Sequence, residues 1–190
     1  ANLMTVADLE VLNEYNLKKY DYDVVIARME PENNIEMIIE GYLNSRKERQ
    51  LVIIGSLKTK FGQYISQKNN DGRIKYLGFV SGIGKLNSLR NFSNLYFHGH
   101  SVGGTNPSLL EAMASNSLIC AHDNIFNKSI LEDSGFYFKN NKEVSNLMNS
   151  IVKKDELKKL NDNSKKAREL YSWDVIVANY YNYFKKLVNE

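Results

Sequence analysis

Apolar residues along the chain follow two alternating spacings. Unbroken runs at 23–27, 51–54, 95–98 and 118–121, with the weaker segments 73–77 and 136–138, have the length and β-branched content of strands buried on both faces. Between them the period becomes helical. Ile35, Ile38, Ile39, Tyr42 and Leu43 form one stripe of a helix that Pro31 starts. The same spacing predicts helices at 60–67, 83–91, 107–115 and 144–152, a helical turn at 129–132, and closing helices at 155–170 and 173–188. Gly55 and Gly78 end the second and third strands. This alternation predicts an α/β fold: a doubly wound, parallel, six-stranded sheet with helices on both faces and further helices at the C-terminus.

Ligands of such sheets sit beyond the carboxyl ends of the strands, where the strand order reverses. That rule selects Arg28 and segments 55–58, 78–81, 98–106 and 122–128. The most informative of these opens His98-Gly99-His100-Ser101-Val102-Gly103-Gly104-Thr105-Asn106-Pro107. A strand runs into a glycine turn, Asn106 suits an N-cap, Pro107 suits the first helical position, and Glu111 follows one turn on. Helix N-termini attract anions, phosphate above all, so this segment can hold a nucleoside diphosphate and a hydroxylated ligand together. Arg28 offers a guanidinium suited to a diphosphate; its competing role is an ion pair with Glu30 or Glu32. Glu111 can hold ribose hydroxyls, or stand as a solvated helix glutamate. His100 lines the pocket, whereas His98 reads as a core residue.

Composition narrows the classes. The chain has 190 residues, the size of one domain or one lobe, and its 43% hydrophobic content is enough for a core. Net charge is +3 with scattered basic residues, and Lys165, Lys166 and Arg168 read as a solvated helix face, so nucleic acid is not indicated. No apolar stretch reaches the roughly 18 residues needed to span a bilayer, and no signal peptide is visible. The single cysteine, Cys120, lies in a strand run and reads as a buried thiol, which excludes a disulfide framework and makes the cytosol the expected compartment. The chain opens on Ala1, which reads as a piece cut from a longer protein.

Several motif classes fail. The turn Arg28-Met29-Glu30 lacks the glycines of a dinucleotide fingerprint, Gly82-Ile83-Gly84-Lys85 lacks the Walker spacing, and Tyr76-Leu77-Gly78 lacks a receiver aspartate. His98, His100, His122 and Asp123 lack zinc-ligand spacing, so no metal is expected. In the last helix Trp173, Ile176, Val177, Tyr180, Phe184 and Leu187 fall at helical spacing, with Tyr181 and Tyr183 on other faces, a stripe broad enough to meet a partner.

Taken in order, these segments resemble the donor-binding, C-terminal lobe of a two-lobed GT-B glycosyltransferase of the family 4 (group 1) type. The likeness covers about residues 22–188. Val25 to Asn34 resembles the Gly-Arg-Leu-x-x-Glu-Lys-Gly segment, and Leu51 to Gly55 the strand before a Gly-Asp-Gly-Pro turn. Ile74 to Val80 resembles the strand that ends at the nucleobase, Ser101 to Ser115 the Glu-x7-Glu loop and helix, and Ser172-Trp173-Asp174 the start of the crossing C-terminal helix. The Glu-Pro-Glu-Asn-Asn and His-Gly-His-Ser wording is similar to bacterial rhamnosyltransferases of polysaccharide assembly.

The resemblance implies a Rossmann-like lobe at 21–170, an interlobe leader at 1–20, and a helix at 171–190 that crosses to an N-terminal lobe. It implies that Arg28 binds the donor diphosphate, that Glu111 holds the donor ribose, and that Gly104, Thr105 and Asn106 contact diphosphate and sugar. Gly55, Gly78, Phe79 and His100 join the donor-binding set. Two departures stand out. The first motif glutamate falls at Gly103, and the lysine that partners the arginine falls at Asn33, so Lys58 or Lys128 is expected as second cation. The implied reaction is metal-free, cofactor-free transfer of a sugar with retention. The donor is dTDP-rhamnose or a UDP-sugar. The acceptor is a glycan or lipid-linked glycan bound by the other lobe, at the inner face of the membrane, and the isolated lobe is expected to be inactive and to self-associate. Two readings compete: an epimerase-like sugar-nucleotide enzyme, which needs further carboxylates in the cleft, and a non-catalytic nucleotide-sugar module, which needs no second lobe.

Overall fold

A computed structural model describes residues 6–189. Six strands, β1 (Tyr22–Ile26), β2 (Gln50–Ile54), β3 (Ile74–Gly78), β4 (Tyr96–His98), β5 (Ile119–His122) and β6 (Phe136–Phe138), form one parallel sheet. Their order is β3-β2-β1-β4-β5-β6. The chain walks outward from β1 to β3, then returns to lay β4 on the other side of β1. The reversal therefore falls between β1 and β4.

The helices are α1 (Val11–Glu14), α2 (Ile35–Leu43), α3 (Lys60–Lys68), α4 (Ile83–Phe92), α5 (Pro107–Ala114), α6 (Ile125–Leu131), α7 (Asn141–Ser150), α8 (Leu157–Tyr171) and α9 (Trp173–Asn189). Side-chain caps fix several starts: Thr59 Oγ1 accepts from Gly62 N, Asn124 from Asn127 N, and Asn140 from Glu143 N. Those asparagine caps place α6 and α7 earlier than the apolar period alone suggested. Pro31 starts a 3-10 turn, Pro31–Asn33, rather than α2 itself. Asn34 then takes φ 50°, which breaks the turn from the helix at Ile35.

Alternate strand residues face opposite layers. Val24, Val52, Tyr96 and Ile119 bury against Leu89 of α4, Leu109 and Met113 of α5 and Ala167 of α8. Val25, Ile53, Phe97, Cys120 and Phe138 bury against Ile38 and Ile39 of α2 and Val144 and Met148 of α7. Val11, Leu12 and Leu17 of the leader pack into the first layer; residues 1–5 of that segment lie outside the described residues. The sheet's amino-terminal edge is tied by fully buried Asp23, which accepts from Arg49 Nε at 2.9 Å and Leu95 N at 3.1 Å. Helix α9 projects its aromatic side chains outward: Trp173, Tyr180 and Phe184 are 59%, 62% and 58% exposed. Between α9, the end of α8 and α5 runs an open groove of about 480 Å³ lined by Leu110, Tyr171, Tyr180 and Tyr183, with Thr105 at one end. No helix among the described residues is long and apolar enough to cross a membrane.

Candidate functional site

Three loops meet at the carboxyl edge of the sheet, around the reversal between β1 and β4. Backbone carbonyls and asparagine side chains join them. Asn33, the buried last residue of the 3-10 turn, donates from Nδ2 to Arg28 O at 2.8 Å. Asn34 Nδ2 donates to Gly99 O at 2.8 Å, and Ser101 donates from both N and Oγ to Glu32 O, at 3.0 and 2.9 Å. On the other side Asn124 and Asn127 donate to His100 O at 3.0 and 3.1 Å. The loop after β4 is thus pinned at 99–101 from both flanks. Gly99 is glycine for a steric reason: a Cβ there would lie 2.0 Å from Asn33 O. None of the four asparagines was marked as a clamp by the sequence; asparagines beside turns were the only available signal.

Arg28 stands at the rim with 82% of its side chain exposed, and Nη2 meets Glu30 Oε2 at 3.2 Å. The ion pair with Glu30 is therefore the role the structure displays, and an exposed pair of this kind is weak enough to leave the guanidinium free to turn. Glu111 is not a solvated helix glutamate. Its Oε2 pairs at 2.9 Å with Arg90 Nη2, a guanidinium that is 1% exposed. Arg90 also donates to Asn87 Oδ1 at 2.9 Å and Ser108 Oγ at 3.1 Å, and its guanidinium lies 5.7 Å from the centre of the Tyr96 ring. The Tyr96 hydroxyl closes the network on Ser108 Oγ at 2.9 Å. The sequence reading passed over Arg90. Its signal was a charged residue flanked by Leu89 and Phe92 on a helix with no clean polar face.

Of the two lysines expected as second cation, Lys128 pairs with Asp123 at 2.7 Å, and Lys139 shares that carboxylate at 3.5 Å. Lys58 is exposed on the β2 side of β1. Asn33 at the lysine position is committed to Arg28 O and carries no charge.

The glycine loop differs from the expectation of a bare helix N-terminus. Pro107 has no N–H, Ser108 N is capped by Asn106 Oδ1 at 2.9 Å, and Leu109 and Leu110 N both donate to Asn106 O. The helix's own first donors are consumed. The N–H groups of residues 102–106 instead donate to no group among the described residues, and residues 102–105 are exposed, in the loop that Ser101 and Gly99 tie to the loop carrying Arg28. Gly103 sits at φ 99°, a conformation that disfavours any other residue, and a Cβ there would touch nothing. Gly104 and Thr105 are exposed, and Phe79, beyond β3, is 78% exposed. Gly78 takes φ 68° with open space around it. Gly55 is held by packing, since a Cβ would fall 2.2 Å from Ala27 O.

The histidines form a stack. The rings of His98 and His100 lie 4.3 Å apart at 13°, and Tyr96 stacks on the far side of His98 at 6.2 Å. His98 is fully buried, and neither ring nitrogen finds a partner among the described residues; burial holds it neutral, well below the ordinary histidine range. His100 is half-buried. Burial first and the Arg28 charge second push its pKa down, while Glu32 pulls it up. His122 is lowered by burial, with Asp123 opposing. Among the described residues no cluster of His, Cys, Asp or Glu could hold a metal ion.

The family model for group 1 glycosyl transferases matches residues 12–170. No curated protein sequence gives a significant match. Solved structures share the fold. Sucrose-phosphate synthase of Thermosynechococcus elongatus superposes with a TM-score of 0.80 at 14% identity, covering 100% of this chain and 51% of its own. Anabaena HepE, solved with UDP-glucose, gives 0.78 at 16%, covering 100% and 55%. The C-terminal domain of a group 1 glycosyl transferase of Francisella tularensis gives 0.68 at 16%, covering 86% and 92%. The chain spans about half the length of the first two.

Proposed function

The chain belongs to the group 1 glycosyl transferases, and on that premise we propose that it is the donor-binding lobe of an enzyme that transfers a sugar from a nucleoside diphosphate to a glycan or lipid-linked acceptor. The observation that carries this reading is the convergence, at one reversal point, of Arg28, unpaired N–H groups at 102–106 and the anchored carboxylate of Glu111. The diphosphate lies against Arg28 and the loop, the ribose hydroxyls against Glu111, and the base beyond β3 near Phe79. As the bond from the anomeric carbon to the β-phosphate oxygen breaks, its electron pair stays on the diphosphate. Arg28 and the loop N–H groups stabilise that charge. The chain supplies no acceptor site in this reading; the acceptor binds a second lobe, against which the aromatic face of α9 docks.

The donor is a deoxyhexose nucleotide, dTDP-rhamnose before UDP-glucose, because Gly103 offers no carboxylate to a sugar hydroxyl and its φ of 99° disfavours one. An epimerase-like reading needs a second acid in the cleft; Asp123 is already shared between Lys128 and Lys139. Calorimetric titration of dTDP and UDP into the chain tests the site. Arg28→Ala should weaken both by about tenfold, the loss of one charge-assisted contact, and equal affinities in parent and variant would remove Arg28 from the site. Saturation-transfer NMR tests the donor: stronger sugar-proton contacts from UDP-glucose than from dTDP-rhamnose would reject the deoxyhexose assignment.

A further inference from the structure

We propose that His100 supplies the second positive charge at the diphosphate, by taking up a proton as the anion binds between its ring and Arg28. This rests on the donor-binding reading above and adds a residue role to it. A nucleoside diphosphate brings at least two negative charges, and three cations carried by elements at this edge of the sheet already share carboxylates. Glu30 pairs with Arg28, Asp123 with Lys128, and Glu111 with buried Arg90. Lys58 follows β2, one strand further from the glycine loop than Arg28, in a loop that touches the β1 loop through Thr59 Oγ1 donating to Met29 O at 3.2 Å. His100 occupies the first turn of the glycine loop itself, two residues before its unpaired N–H groups begin.

The ring is held in place for this task. It stacks on His98 at 4.3 Å, and its backbone carbonyl takes two asparagine hydrogen bonds. Nδ1 is buried without a partner, so Nε2 is the nitrogen left to meet a ligand. The surroundings fix the direction of titration. From the loop after β1, Arg28 disfavours the imidazolium and Glu32 favours it; from β4 itself, His98 is neutral and contributes no charge; from the loop after β5 the contacting groups, Asn124 and Asn127, are neutral. In the free protein His100 is therefore unprotonated near pH 7. A dianion in contact with the ring outweighs one guanidinium whose charge Glu30 shares, so binding raises the pKa and draws in a proton. By linkage, affinity then rises as pH falls through the bound-state pKa and levels off below the free-state pKa.

The chain contains three histidines, so imidazole 15N–1H correlation spectra resolve them directly. UDP is the probe. On titration at pH 7, the His100 ring should move from the neutral to the imidazolium pattern, while His98 stays neutral. Calorimetry in two buffers of different ionisation enthalpy should register net proton uptake. His100→Gln should abolish that uptake and weaken UDP about tenfold at pH 6.5, with uridine binding unchanged. His100→Arg, with a permanent charge, should bind UDP without proton uptake and with a flatter pH profile than the parent. A His100 ring that stays neutral in the complex, or the same uptake in His100→Gln, overturns the proposal while leaving the donor site standing. If UDP binds neither the parent nor His100→Arg, the donor-binding reading falls and takes this role with it.

Discussion

Arg90 gives the sharpest test of how the site is built. Replacing it with Met keeps the aliphatic stem and removes the guanidinium from a place where it is 1% exposed. Three polar contacts go: the ion pair to Glu111 at 2.9 Å, and hydrogen bonds to Ser108 at 3.1 Å and Asn87 at 2.9 Å. Deleting one partner of a buried pair costs about 3–5 kcal/mol, chiefly because the other charge is stranded. Glu111 keeps 23% exposure and can rehydrate, and the Met side chain fills most of the stem volume. The expected loss is therefore about 2–3 kcal/mol, survivable for a domain of about 5–15 kcal/mol, and about 5–10 °C in Tm. Urea denaturation of Arg90→Met, Glu111→Gln and the double variant closes a cycle, in which the pair should couple by more than about 1 kcal/mol. UDP affinity should fall in Arg90→Met too, because Glu111 loses the contact that fixes Oε2 and leaves Oε1 for the ribose. A variant within about 0.5 kcal/mol of the parent, with additive effects in the cycle, would refute the claim that Arg90 anchors Glu111.

Three further outcomes follow from other parts of the fold. Gly103→Glu, which restores the missing carboxylate, should cost about 1–2 kcal/mol from φ 99° alone, since its Cβ meets nothing; a neutral change in urea unfolding would disprove the strain argument. His98, His100 and His122 all have depressed folded pKa values, so the stability they confer is complete above the unfolded value of about 6.5 and is lost as pH falls below it. His98→Gln should flatten that acid slope by about 1.4 kcal/mol per pH unit, and identical slopes in parent and variant would contradict a buried neutral His98. The exposed face of α9 should drive the chain to self-associate in sedimentation at tens of micromolar (roughly), and Tyr180→Ser with Phe184→Ser should return it to a monomer; a parent that stays monomeric rejects this.

The sheet was legible because parallel strands covered on both sides read as unbroken apolar runs, and each predicted strand lies within a residue or two of the observed one. The alternation called for a reversal of strand order somewhere in the sheet but did not place it; that it falls between β1 and β4 is set by the pairing of strands distant in sequence. What escaped were features set by contacts distant in sequence. Arg90 reaches Glu111 across 21 positions (111 minus 90), and nothing in the helical period marks that partner. Asn33 and Asn34 resembled ordinary turn residues, yet one fixes the Arg28 carbonyl and the other reaches Gly99. Helix α1 spans only Val11–Glu14, too few residues to show a period. The consumption of the α5 donors by Asn106 was implicit in the Asn-Pro pair, since the cap that starts a helix also occupies the groups that would hold an anion.

The loop after β4 is riveted at 99–101 and unattached from 102 to 105. Folding therefore exerts strong selection on the first three residues and little on Val102, Gly104 and Thr105, whose replacement removes no hydrogen bond among the described residues. A gene duplicate could drift through this short window, changing the surface the loop presents, while its sheet, caps and clamps stay fixed. The same asymmetry tells an engineer where to randomise: a library confined to 102, 104 and 105 varies the loop without removing a hydrogen bond among the described residues, whereas one that includes Gly99, where any Cβ would fall 2.0 Å from Asn33 O, spends most of its members on chains that no longer fold.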